Sequence, residues 1–82
     1  MLYPRVRIIM VWQRPGDDSP RACYWQHEGT LSDVAAAETY AAHATRESNA
    51  DMTVYTFSLT TDKTRALEIA KSQYRTALMA GW

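Results

Sequence analysis

Cysteine is nearly missing from this chain. Cys23 stands alone, so no internal disulfide can form, which suits a reducing compartment. Glycine is almost as scarce, with three residues, and neither a phosphate-cradling loop nor a Gly-x-Gly-x-x-Gly run is present. No apolar stretch approaches the roughly 20 residues of a membrane span. The longest, Ile8–Trp12, has arginines on both sides and does not read as a signal peptide. Neither sign of charge is in excess: nine basic side chains balance nine acidic ones. A nonspecific grip on nucleic acid would therefore need a local basic patch. Cys-x-x-Cys, His-Glu-x-x-His and Gly-x-Ser-x-Gly are absent. So is an RNA-recognition pattern of aromatics on a strand. In 82 residues there is little room for catalytic machinery and a substrate pocket beside a core.

What is present is enough for folding. Apolar residues make up 46% of the chain, and three Trp, five Tyr and one Phe argue against disorder. The length allows one domain, residues 1–82, with a thin core. Arginine outnumbers lysine and alanine is abundant, which hints at a GC-rich bacterial or phage genome.

Five elements follow from periodicity. Arg5–Arg14 is β-branched and aromatic, a strand with Val6, Ile8, Met10 and Trp12 on one side and Arg5, Arg7, Ile9, Val11 and Gln13 on the other. Pro4 sits at its start, where a missing N–H does no harm. Pro15–Pro20 is a loop whose Asp17 and Asp18 are expected to bond their own backbone rather than a cation. Arg21–Glu28 is the second strand. Matching Arg14 to Arg21 gives a hairpin in which Trp12 faces Cys23, Met10 faces Trp25, Ile8 faces His27, Val11 meets Tyr24, Ile9 meets Gln26 and Arg7 pairs with Glu28. A helix begins at Thr30 or Ser32, with Asp33 at capping-box spacing from Thr30. Its inner face is Leu31, Val34, Ala37, Ala41 and Ala44. Met52–Thr60 alternates clearly, Tyr55, Phe57 and Leu59 against Met52, Val54, Thr56 and Ser58. Thr61 or Asp62 caps a last helix striped by Ala66, Leu67, Ile69, Ala70, Tyr74, Ala77 and Leu78. Gly81 suits the left-handed position after its end, with Trp82 folded back on the last turn, and the chain is expected to stop where the fold stops.

The segment Cys-Tyr-Trp-Gln-His-Glu, Cys23 to Glu28, brings a thiol, an imidazole and a carboxylate close in sequence. On a regular strand Cys23 and His27 share a face, with Cα atoms roughly 13 Å apart. A nucleophile and its base must come within about 3 Å, and two ligands of one zinc must each lie within about 2.3 Å of it. The segment therefore reads as a strand rather than a catalytic dyad or metal site. His43 and Glu47, one helical turn apart, read as a solvated pair. No cofactor is implied.

The order ββαβα gives an α+β fold. Strand 1 is the most apolar and belongs in the middle, and a right-handed crossover links strands 2 and 3. The expected sheet is antiparallel, order 2-1-3, with both helices on the face carrying Val6, Ile8, Met10, Trp12, Cys23, Trp25, Tyr55, Phe57 and Leu59. The other face is then bare. Arg5, Arg7, Ile9, Val11, Tyr24, Gln26, Glu28, Met52 and Val54 form an apolar strip with a polar rim, of the kind that marks interaction sites.

The function expected on these grounds is a non-enzymatic, cytoplasmic protein-binding module acting through the open sheet face. Its partner is another protein or a second copy of the chain. A small phage or bacterial inhibitor of a host complex, of the anti-CRISPR kind, fits the size and the missing motifs. The alternative is a nucleic-acid-binding module using Arg5, Arg7, Arg14 and Arg21, with Tyr24 stacking on a base. An enzyme built on Cys23 or His27 with a distant partner is the third possibility. No membrane contact is expected.

Overall fold

In a computed structural model, which describes residues 5–48 and 50–80, the chain folds as β1 (Val6–Gln13), β2 (Arg21–Gly29), α1 (Leu31–Ser48), β3 (Asp51–Ser58) and α2 (Lys63–Ala80). The three strands form one antiparallel sheet in the order β2-β1-β3, as the hairpin and crossover rules require. The expectations for Pro4, Gly81 and Trp82 lie outside the described residues.

Local chemistry sets the element ends. Asp17 N–H bonds the Arg14 carbonyl at 3.0 Å, closing a turn with Pro15 and Gly16 at its centre. Proline suits the first central position of such a turn, and Gly16, at φ 93°, supplies the positive angle needed at the second. The Asp17 carboxylate accepts the Arg14 backbone N–H at 3.0 Å, the self-bonding expected of a loop aspartate. Thr30 caps α1 in a reciprocal box: its N–H donates to Asp33 Oδ2 at 2.7 Å while the Asp33 N–H reaches Thr30 Oγ1 at 3.4 Å. Asp62 caps α2, accepting the Arg65 N–H at 3.2 Å. Gly29 sits in a tight space, since a Cβ there would meet Ile8 Cδ1 at 2.5 Å and the tip of that side chain would have to shift.

The helices lie on opposite faces of the sheet, not on one. Ile8, Met10, Ala37 and Ala41 form a buried cluster under α1, flanked by Val6, Trp12, Val34, Met52 and Val54. Ile9, Val11, Ala66, Ala70 and Tyr74 form a second under α2, flanked by Ala22, Tyr24, Tyr55, Phe57 and Leu67. The reason is the pairing of β3. Directly opposed residues of antiparallel neighbours share a face, and Ile9 opposes Tyr55 while Met10 opposes Val54. Tyr55 and Phe57 thus join Ile9 and Val11, not Met10 and Trp12. Both faces become apolar, and each needs a helix. A central strand buried on both sides reads as an unbroken apolar run, which is what Ile8–Trp12 is. Burying Ile8, Ile9 and Val11 fully contributes about 1.5–3 kcal/mol apiece.

The hairpin register also departs from expectation, by two residues near the turn. Met10 opposes Cys23, Val11 opposes Ala22 and Trp12 opposes Arg21. The connection is longer than a loop between Arg14 and Arg21, and β2 recovers the difference through irregularities opposite Ile8–Ile9 and Val6–Ile8. An even slip keeps Cys23 on the Met10 face. The extra residues then break the alternation, so that His27 stacks on Tyr24, ring centroids 4.4 Å apart, on the α2 side. Glu28 pairs with Arg5 at 3.2 Å rather than with Arg7. The Arg7 guanidinium instead donates to the Thr61 and Leu59 carbonyls, both at 3.0 Å, and to the His27 carbonyl at 3.4 Å. It ties the loop before α2 to β2.

Candidate functional site

The residues expected to share one open face are divided between two layers. Ile9 and Val11 are 0% exposed beneath α2. Tyr24 is half-buried beside them, and Arg7 is engaged by backbone carbonyls. Met52 and Val54 lie on the opposite side, packed on the α1 cluster. Gln26, Glu28 and Arg5 are exposed along the outer strand and its rim. The open apolar strip therefore does not exist, because the face assigned to it is the one that α2 covers.

The surface that does stay open is on the α1 side. Helix α1 packs more closely on β3 than on β2, and its buried positions are the alanines Ala37 and Ala41. A helix with so small an inner face covers little width, and the sheet beside it is left as a groove of about 510 Å³. Met10, Trp12 and Met52 floor it. Cys23 and Trp25 of β2 form one wall; Tyr40 and His43 of α1 form the other. Trp25 is 36% exposed and Tyr40 49%, and their rings meet across the gap, centroids 5.1 Å apart and tilted by 38°. Arg14, just past β1, also lines the groove. The irregularity of β2 near Trp25 matters here, since bulges re-aim side chains.

The polar chemistry of this site is spare. Cys23 is on the α1 side and His27 on the α2 side, so the two are no dyad even in outline. Burial pushes the Cys23 thiol up, away from the thiolate a nucleophile needs. Among the described residues no three His, Cys, Asp or Glu side chains cluster as a metal site would require. No described helix is long and apolar enough to cross a membrane.

The four arginines of the nucleic-acid reading are also dispersed. Arg5 is paired with Glu28 and Arg21 lies 3.7 Å from Asp17. Arg7 is spent on carbonyls, and the Tyr24 ring is packed against Ile9, Val11 and His27 rather than displayed.

The groove was not legible in the strand patterns, which place Trp12, Cys23 and Trp25 under helices. The available signal was the alanine-rich face of the first helix, too small to cover two tryptophans on neighbouring strands. No protein-family model matches this chain, and no curated protein or solved structure shows significant similarity to it.

Proposed function

We propose that this chain is a non-enzymatic protein-binding module, working in a reducing cytoplasmic setting, whose contact surface is the groove between β2 and α1. The observation that carries the reading is the exposed Trp25–Tyr40 pair over a groove floored by Met10, Trp12 and Met52. Aromatic residues, methionine and arginine are enriched where proteins meet, and Trp, Tyr and Arg dominate their energetic centres. A stoichiometric inhibitor of a larger assembly is one member of that class that suits a short chain without catalytic motifs. Nucleic-acid binding is the weaker reading, because three of its four arginines already have partners within the fold.

The test is comparative capture from cell lysate by wild type, Trp25→Ala, Tyr40→Ala and a control, Leu31→Ala, at an exposed position outside the groove. A partner retained by wild type and control but reduced at least tenfold by both groove variants is expected, since a hot-spot aromatic is worth about 2 kcal/mol or more. Equal retention by all four would move the contact surface elsewhere.

A further inference from the structure

Resting on the groove reading above, we infer that its occupant is an acidic peptide segment carrying one bulky apolar side chain, the side chain seated on the Met10, Trp12 and Met52 floor beside the Trp25–Tyr40 pair and a carboxylate at Arg14. The first half follows from size and lining. About 510 Å³ bounded by Trp12, Trp25, Tyr40 and two methionines lies in the range of recognition pockets. Methionines adapt to irregular apolar shapes.

The second half follows from charge. Among the described residues no Asp or Glu lines the groove, while Arg14 does. The nearby carboxylate of Asp17 is turned to the Arg14 backbone N–H and to Arg21, so it does not neutralise the Arg14 guanidinium by direct pairing. Arg14 thus differs from Arg5, Arg7 and Arg21, which all have acceptors in the fold. A permanent planar cation beside an apolar floor selects carboxylate over ammonium. A single-stranded nucleic acid is the other anion with flat apolar groups, but it asks for a row of cations along its backbone. Among the described residues the groove has one arginine.

The experiment follows the indole N–H signals of Trp12 and Trp25 by NMR during titration with three capped pentapeptides: Glu-Asp-Phe-Asp-Glu, Lys-Lys-Phe-Lys-Lys and Glu-Asp-Ala-Asp-Glu. A ten-residue oligothymidylate is titrated separately. The expected result is saturable binding of the acidic phenylalanine peptide, with the lysine and alanine peptides each at least about fivefold weaker at low salt. In Arg14→Glu the preference between acidic and basic peptides should vanish or invert while the need for phenylalanine persists; the backbone amide spectrum verifies that this variant keeps the fold. The inference is overturned by equal binding of acidic and basic peptides, by an unchanged preference in Arg14→Glu, or by no binding of the acidic peptide. Tighter binding of the oligothymidylate overturns it in favour of nucleic acid. Indole shifts that depend on protein concentration alone overturn it in favour of a second copy. Equal binding of both phenylalanine peptides, lost in Trp25→Ala, would sink the charge inference and leave the groove reading standing.

Discussion

The two faces of the sheet are built from the same few residue types and end up unlike each other. Under α2 the packing is tighter: Ile9, Val11, Ala66 and Ala70 are wholly buried, and Tyr74, 2% exposed, is the large side chain among them. Its hydroxyl donates toward the Asp51 carboxylate and carbonyl, at 3.0 and 3.2 Å. Under α1 the burial is shared among Ile8, Met10, Ala37 and Ala41, and the aromatic bulk of Trp12, Trp25 and Tyr40 is left at the margin. In both cases alanines let the helix sit close. What differs is the large residue that completes the layer. On α2 Tyr74 points down into the sheet; on α1 the corresponding bulk, Tyr40, stands beside the helix and meets Trp25. The closed layer carries the stability of the fold, and the open one has apolar surface to spare for a partner.

The largest effect separating the layers should come from Val11→Asp. On a bare sheet face this change would leave the fold intact. Beneath α2 it puts an unpaired carboxylate among Ile9, Ala66 and Ala70, at a cost of about 3–5 kcal/mol, much of the roughly 4–12 kcal/mol that a chain of this length commands. Circular dichroism during urea unfolding should show a shallow transition or none at 25 °C. A midpoint within experimental error of wild type would mean that α2 does not cover this strand.

Tyr74→Phe should have a smaller effect with a particular pH signature. Burial, reinforced by the hydrogen bond and the charge of Asp51, raises the Tyr74 hydroxyl above its ordinary value of 10.0. A raised folded value means that its contribution is fully present below about pH 10, where both states are protonated. It declines above that, as the unfolded chain ionises first. The variant should lose about 0.5–1.5 kcal/mol at neutral pH and show a flatter decline above pH 10. An alkaline limb identical to that of wild type would assign the alkaline sensitivity to other groups, Tyr55 first among them.

The stability loss of Trp25→Ala, on the open side, should also stay far below that of Val11→Asp. Trp25 is 36% exposed and its main described ring contact is Tyr40. The expected loss, about 1–2 kcal/mol, is well short of the roughly 3–5 typical of a core tryptophan. A loss in the core range would make the Trp25–Tyr40 pair a structural lock rather than a docking surface.

Elements and caps were legible because they depend on neighbours in sequence. The β-branched run of β1, the capping pair Thr30 and Asp33, a cap at Thr61 or Asp62 and a loop from Pro15 to Pro20 all depend on a few adjacent residues, and the sheet order followed from connection rules. Arg7 shows the limit. Its sequence neighbourhood paired it with Glu28, whereas in the fold it binds carbonyls of residues 59 and 61, which no local pattern brings near.

By itself, then, the chain's pattern dictated three antiparallel strands, two capped helices and the most apolar strand at the centre of the sheet. Tertiary structure alone decided which face each helix covers, because strand faces are settled by pairing partners, and Ile9 could not be known to oppose Tyr55 until β3 was docked. It also decided where the surface opens. A helix whose inner side is alanine can slide toward β3 at little cost in buried area, and only its final position reveals that Trp25 and Tyr40 are left facing an open groove.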